Sequence, residues 1–169
     1  GISSMVVCDP VFLLSLAEWD GYFNLSRHPR NKYILLYNLC NIPEVDAKAS
    51  ELASSTGLKV IKYVGKVERL KFGKYNKVTA GTMSFLRDIF NADYVVTSSF
   101  HGVALSLVFE KPFFYSSTPD LSGRVESLLH EFGFESMDKL NSPADDSYRT
   151  IVEQYAERSK AWLLSEILS

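Results

Sequence analysis

Short apolar runs alternate along the chain with longer stretches in which apolar residues recur at helical spacing. Residues 32–39, KYILLYNL, form a nearly continuous apolar run of strand length, and such runs are typical of strands buried on both faces. Three further strands are predicted at residues 59–65, 93–99 and 111–117. The basic segment KVERLKFGKYNKV, residues 66–78, predicts a solvated loop or a weak edge strand, with an anion-binding role as the alternative.

Helical spacing and turn residues predict helices between these runs. Pro43 near the start and Gly57 at the end delimit the clearest helix, because proline suits the first helical turn and glycine suits the residue after the last one. The other predicted helices are a brief one at residues 11–19, one at residues 82–91, one that begins near Phe100, one at residues 122–134 and a long closing helix at residues 144–168.

Strands that alternate with helices indicate an α/β fold with a mainly parallel sheet covered by helices on both faces. The predicted architecture is a Rossmann-like domain. In such sheets ligands bind beyond the carboxyl ends of the strands. The loops in which we expect a site are therefore residues 38–41, 64–66, 98–102 and 116–123.

Composition is that of a globular domain. The chain has 169 residues, of which 46% are hydrophobic and 22% are charged, so it can bury a core as one compact domain. The net charge of −2 gives no support for a nucleic-acid partner, which would need a clustered basic face. No apolar run approaches the roughly 20 residues that span a bilayer, and the N-terminus lacks the basic region of a signal peptide. We therefore expect a cytoplasmic location.

Two cysteines, Cys8 and Cys40, share no CxxC spacing and have no His/Cys cluster beside them. Neither a disulfide framework nor a zinc site is expected, and both thiols are interpreted as structural. The sequence contains no GxGxxG fingerprint, Walker loop, HExxH motif or EF-hand loop. A Ser-His-Asp triad stays open, although no GxSxG elbow supports one.

The strongest candidate site is SSFHG, residues 98–102. Ser98 and Ser99 follow a predicted strand, and serine at the start of a helix favours Ser99 as its N-cap. The first amides of a helix have no internal partner, so the turn is suited to a phosphate or a carboxylate. Gly102 allows close approach to a ligand or to a neighbouring strand. His101 would project from the first turn as a general acid. On spacing alone, a purely structural role for this turn stays open.

A second candidate site is SSTPDLSGR, residues 116–124. Ser117, Thr118 and Ser122 offer hydroxyl groups, and Arg124 can pair with a carboxylate or a phosphate through two hydrogen bonds. An ordinary turn with a solvated Arg124 is the alternative. The other two histidines are interpreted as a solvated loop residue, His28, and a structural helix residue, His130.

These segments resemble the polysaccharide pyruvyl transferase family. The resemblance lies in FLRDIFNADYVVTSSFHGVALSLVFEKPFFYSS, followed by GRVESLLHEFGF, and in the opening DPVFLLSLAEW followed by KYILLYNL. The SFHG block, the apolar helix after it and the KPF strand are its most specific parts. It covers essentially the whole chain, but only about the C-terminal half of a typical member.

The resemblance implies a two-domain fold like that of the GT-B glycosyltransferases. Residues 32–169 would be the C-terminal Rossmann-like domain. Residues 1–31 would be a linker segment with a short helix, entering from a missing N-terminal domain of the same protein.

The resemblance also implies a reaction, the transfer of a pyruvyl group from phosphoenolpyruvate to two hydroxyls of a sugar. The product is a cyclic ketal in cell-surface polysaccharide biosynthesis. His101 maps onto the family histidine and Phe100 onto the apolar residue before it. Many members carry arginine where this chain has Ser99, so Arg124 or a residue of the missing half would have to compensate.

No cofactor or metal is required by this scheme. The implied partners are phosphoenolpyruvate as donor and a sugar or lipid-linked oligosaccharide as acceptor, and the inner face of the membrane is an alternative to a free cytoplasmic location. Two other functions stay open. The chain could be the donor-binding half of a GT-B nucleotide-sugar glycosyltransferase, or a non-enzymatic α/β binding module.

Overall fold

The computed structural model describes residues 7–26, 32–63, 76–78, 81–134, 141–143 and 146–168. The strands within these residues are β1 (Tyr33–Tyr37), β2 (Lys59–Tyr63), β3 (Asn76–Val78), β4 (Tyr94–Thr97) and β5 (Phe113–Tyr115). The α-helices within them are α1 (Leu16–Phe23), α2 (Pro43–Thr56), α3 (Thr82–Phe90), α4 (Phe100–Val108), α5 (Pro119–Glu131) and α6 (Asp146–Leu168), and a 3-10 helix at Pro10–Leu13 precedes α1.

The five strands form one parallel sheet in the order β3-β2-β1-β4-β5. The chain runs outward from β1 to β3, then returns to the other side of β1 and continues through β4 to β5. This order confirms the predicted Rossmann-like α/β fold. The direction of winding reverses between β1 and β4, and such a reversal opens a crevice at the carboxyl ends of the two strands.

Both faces of the sheet are buried, as the apolar runs predicted. Alternate residues of a strand point to opposite faces, so Ile34 and Leu36 of β1 pack with α2, whereas Leu35 packs in the larger core with α3, α4 and α5. All three of these β1 side chains are fully buried. This two-sided packing holds the carboxyl ends of β1 and β4 in fixed positions.

The N-terminal segment joins the larger of the two cores. The Phe12 ring stacks on Phe132 with 5.4 Å between centroids, and the Cys8 amide donates a 2.9 Å hydrogen bond to the Ser159 hydroxyl of α6. The described part of residues 1–31 therefore packs tightly against α6. A domain boundary at residues 31 and 32 stays a prediction.

Some element boundaries differ from those predicted. The brief helix expected at residues 11–19 is divided into the 3-10 helix and α1, because Ser15 takes an extended conformation and caps α1. Helix α5 begins at Pro119 rather than at Ser122, since proline is well suited to the first helical position.

Several predictions fall partly or wholly outside the described residues. In the basic segment at residues 66–78, the described part is β3, at the edge of the sheet, which confirms the edge-strand alternative there. The predicted loop at residues 64–66, the loop interpretation of His28 and the first two residues of the closing helix lie outside the described residues. Within the part of the chain that the structure describes, no helix combines the length and the apolarity needed to cross a membrane.

Candidate functional site

The carboxyl ends of β1 and β4 are joined by hydrogen bonds at the winding reversal. The Ser98 amide donates to the Tyr37 carbonyl oxygen over 3.1 Å, and the Cys40 amide donates to Ser98 Oγ over 3.2 Å. Two of the loops expected to form a site, residues 38–41 and 98–102, therefore flank the crevice together.

Thr97 and Gly102 make the turn between β4 and α4 tight. Thr97 Oγ1 donates to the Tyr37 carbonyl oxygen over 2.8 Å and accepts from the Ser99 amide over 3.0 Å. A methyl group at Gly102 would overlap this hydroxyl and come within 2.9 Å of the Thr97 side-chain carbons. The glycine thus permits close approach of helix α4 to strand β4, because the position of its missing side chain faces Thr97.

The two serines of the turn make different contacts. Ser98 is buried, and its hydroxyl oxygen accepts the Cys40 amide. Ser99 occupies the N-cap position of α4, but its side chain makes no capping hydrogen bond. The Ser99 side chain lies near Tyr37 instead. Burial raises the pKa of Tyr37, and the nearby Ser99 makes that rise smaller. Ser99 is thus the N-cap residue, as predicted, but it does not supply a capping hydrogen bond.

The start of α4 is therefore open. The first intrahelical bond of α4 runs from the Val103 amide to the Ser99 carbonyl, which leaves the amides of Phe100, His101 and Gly102 without an internal partner. No acidic residue lies in its first turn. By contrast, the first turns of α2 and α5 carry proline and acidic residues. Among these three helix starts, α4 is the one best suited to an anion.

His101 projects from this open turn. Its side chain is 58% exposed, and Nε2 lies 3.8 Å from Oδ2 of Asp9. The Phe100 ring lies beside the imidazole in an edge-to-face arrangement with 5.5 Å between centroids. The imidazole is thus accessible to a substrate and bordered by one carboxylate and one aromatic ring.

Arg124 reaches the same turn from α5. Its guanidinium lies over the Phe100 ring, with Cζ 4.2 Å from the centroid. The side chain is exposed, and no described carboxylate forms an ion pair with it. A groove of about 790 Å³ runs from Asp9, Phe100 and Arg124 along α5 towards α6. Stacking holds the guanidinium near His101 while its N–H groups remain free to bind an anion.

The rest of the second candidate site contributes less. The Ser116 amide donates to the Thr97 carbonyl over 3.3 Å, which brings the end of β5 beside the turn. Ser117 Oγ is buried and makes no hydrogen bond of normal geometry. Burial raises the pKa of Tyr115, and the nearby Ser117 makes that rise smaller. Thr118 is exposed at the N-cap of α5 and makes no capping bond. Ser122 is buried, and its hydroxyl donates to the Pro119 carbonyl.

Asp9 and Tyr37 lie near the crevice but were not predicted to be part of it. Cys40 lies in the loop at residues 38–41, where a site was expected, although its thiol was interpreted as structural. The Cys40 thiol is free and exposed, unlike that of Cys8, which is free and buried, so packing does not account for Cys40. The sequence signal that could have found Tyr37 is its position at the carboxyl end of β1.

Among the residues that the structure describes, no three His, Cys, Asp or Glu side chains are grouped as metal ligands would be. The polar groups near the start of α4 are instead amides, an imidazole and a guanidinium, with the Asp9 carboxylate beside the imidazole. Amides and a guanidinium are groups that suit an organic anion.

The fold defines a Rossmann-like α/β domain, a class in which ligands bind at the winding reversal of the sheet. The chain belongs to the polysaccharide pyruvyl transferase family, whose model matches residues 1–118. The matched range contains the whole of β4, the SSFHG turn and α4, whereas Arg124 lies beyond it. No curated protein matches the chain significantly.

Proposed function

We propose that this chain binds phosphoenolpyruvate at the open start of α4 and takes part in the transfer of its pyruvyl group to two hydroxyls of a sugar. The observation that carries the proposal is the uncapped first turn of α4, with exposed His101 and the stacked Arg124 beside it. Family membership supports transferase chemistry in polysaccharide synthesis.

The donor has the charges that this turn can bind. Phosphoenolpyruvate carries a carboxylate and a phosphate, and the free amides of α4 and the guanidinium of Arg124 are the complementary groups. Tyr37, whose pKa burial raises further, is a neutral phenol at neutral pH as any ordinary tyrosine is. In this proposal the hydrogen-bond donors to the anion come from β1, α4 and α5.

The proposed reaction uses His101 as a general acid. The protonated imidazole gives its proton to the methylene carbon of phosphoenolpyruvate, which becomes a methyl group. One sugar hydroxyl forms a bond to the adjacent carbon and its proton returns to the imidazole. The second hydroxyl forms the other ketal bond as the carbon–oxygen bond to phosphate breaks, and its proton leaves on the phosphate. The products are the cyclic ketal and hydrogen phosphate, and proton transfer of this kind accelerates reactions by roughly 10²–10⁴-fold.

Arg124 compensates for Ser99 in this scheme. The family resemblance places an arginine at position 99 in many members, and this chain has a serine there. In the structure Arg124 is held 4.2 Å above Phe100, one residue further along the same turn. A cation from α5 thus takes the place of one from α4.

The acceptor and its remaining contacts are also proposals. We propose that the acceptor is a sugar or a lipid-linked oligosaccharide, and that a second domain of the same protein completes the cleft opposite the start of α4. The binding groups described above all lie on one side of such a cleft.

The test combines binding with product analysis. Phosphoenolpyruvate should raise the melting temperature of the protein more than UDP-sugars or GDP-sugars do, because the nucleotide is absent from the proposed ligand. The intact natural protein should release phosphate from phosphoenolpyruvate only when an acceptor sugar is present, and the product should show the methyl signal of a pyruvate ketal. Stabilisation by a nucleotide-sugar and not by phosphoenolpyruvate would replace this proposal with a glycosyltransferase function.

A further inference from the structure

We propose that Asp9 is the positioning residue for His101, holding the imidazole in the orientation that proton transfer requires. The inference deepens the proposed function, because it gives a second residue a part in the action of His101. It also makes a claim about the free protein that can be tested without any substrate.

The distance between the two side chains is the first support. Asp9 Oδ2 lies 3.8 Å from His101 Nε2, which is within the range of an ion pair but longer than a hydrogen bond. Contacts between catalytic groups are often long in the unliganded state and shorten when substrate binds. No other described carboxylate forms an ion pair with His101, so Asp9 is the acidic group placed to act on this ring.

Asp9 itself is firmly held. Its second carboxylate oxygen, Oδ1, accepts the Val11 amide over 3.2 Å, and its carbonyl accepts the Phe12 amide over 3.0 Å. On its other side, the Cys8 amide is bonded to Ser159 of α6. The carboxylate is only 17% exposed, whereas the imidazole is 58% exposed. Asp9, which is fixed and more buried, can therefore orient the more exposed imidazole of His101.

The arrangement gives the two nitrogens of the His101 ring different roles. Asp9 Oδ2 faces Nε2, so in this proposal the N–H of Nε2 points to the carboxylate and Nδ1 is left to exchange a proton with the substrate. Similar carboxylate–imidazole pairs orient the histidine in hydrolytic triads.

Two substitutions of Asp9 test its effect on His101 while keeping its role as the cap of the 3-10 helix. Asparagine and serine can both accept the Val11 amide and cap the 3-10 helix, but neither carries the carboxylate. Asp9→Asn and Asp9→Ser should therefore keep a melting temperature close to that of the natural protein. If one of them folds poorly, the other still supplies the measurement.

The first measurement is the order of the His101 ring by NMR relaxation in the free protein. We expect the imidazole order parameter to fall in both variants, while that of His130, which is exposed on α5, stays the same. An unchanged order parameter for His101 would overturn the positioning role, whether or not phosphoenolpyruvate is the donor.

The second measurement is steady-state kinetics of the intact natural protein. Asp9→Asn should lower kcat by about 10-fold to 100-fold, less than the roughly 10²–10⁴-fold expected for loss of the acid itself, and leave the KM for phosphoenolpyruvate nearly unchanged. A higher KM with an unchanged kcat would contradict the inference, because Asp9 would then act in binding. If the natural protein does not use phosphoenolpyruvate, the proposed function is refuted. The order parameter of the His101 imidazole would still decide whether Asp9 positions this ring.

Discussion

Helices begin in two different ways in the two parts of this molecule. In the N-terminal segment, the Asp9 side chain caps the 3-10 helix, and Ser15 and Glu18 form a reciprocal capping box at the start of α1. At the carboxyl edge of the sheet, α2, α3, α4 and α5 all begin without a side-chain cap. Side chains cap the helix starts in the first region and do not cap them in the second, where α4 also lacks the acidic residues found in the first turns of α2 and α5.

Ser15 and Ser99 make the contrast sharp, since both occupy N-cap positions. Three residues after Ser15 stands Glu18, which accepts from the Ser15 amide over 2.8 Å. Three residues after Ser99 stands Gly102, which has no side chain to return such a bond. A capping box requires both partners. The same residue type therefore closes one helix start and leaves the other free for an anionic ligand.

The largest expected effect is on the chemistry at the open start. His101→Ala in the intact natural protein should lower kcat by roughly 10²–10⁴-fold, as expected for loss of a general acid. The fold should persist because the side chain is mostly exposed. His130→Ala, at an exposed position on α5, is the matched control and should leave turnover unchanged. Full turnover in His101→Ala would remove the catalytic role of this residue.

The next effect concerns the tight contact between α4 and β4. Gly102→Ala should destabilise the protein by about 1–3 kcal/mol, because the added methyl group has no room beside Thr97. Gly123→Ala is the control, since nothing lies within 4 Å of its added methyl group. That change should stabilise α5 by about 0.5–1 kcal/mol. Urea denaturation measures both, and equal effects of the two substitutions would show that the contact is not tight.

A smaller effect is expected on donor affinity. Arg124→Gln should weaken phosphoenolpyruvate binding by about tenfold, a value typical of a charge-assisted hydrogen bond of about 1.4 kcal/mol. Adding Ser99→Arg to this variant should restore the affinity, because the cation would then come from α4. Isothermal titration calorimetry measures both. If the double variant does not regain its affinity for phosphoenolpyruvate, Arg124 does not substitute for an arginine at position 99.

The smallest effect compares the two serines directly. Ser15→Ala should destabilise the protein by about 1 kcal/mol at neutral pH, the usual cost of losing an N-cap, whereas Ser99→Ala should stay within about 0.5 kcal/mol. Hydrogen bonds from Ser15 lower the pKa of Glu18. The cost of Ser15→Ala is therefore fully present at pH values above the pKa that Glu18 has in the unfolded chain. It should shrink as the pH falls through the lower pKa that Glu18 has in the folded protein. A large cost at Ser99 would mean that α4 is closed by its own cap.

Much of the fold could be predicted from the sequence, because the relevant signals are local. The apolar run of β1 and the proline and glycine that bound α2 mark these elements without any knowledge of distant residues. The SSFHG turn could also be located, because it follows a strand in a parallel sheet. The hydroxyl roles were harder, since Ser98 and Ser99 are adjacent and only the packing decides which one is buried.

The contacts between distant segments could not be predicted. Asp9 meets His101, and Arg124 meets Phe100, only because the N-terminal segment and α5 both pack beside α4. Neither contact leaves a periodic pattern or a fixed spacing in one sequence. The contact between Asp9 and His101 was consequently missed. Compensation for Ser99 by Arg124 stays a prediction.

The most direct test is an amide NMR titration of the chain with phosphoenolpyruvate. We expect saturable shifts at the amides of Phe100, His101 and Gly102 and at the side-chain Nε–H of Arg124, with no shift at the capped start of α1. Saturable shifts confined to other parts of the molecule, or none at the start of α4 at saturating donor, would contradict the claim that the open helix start is the donor site.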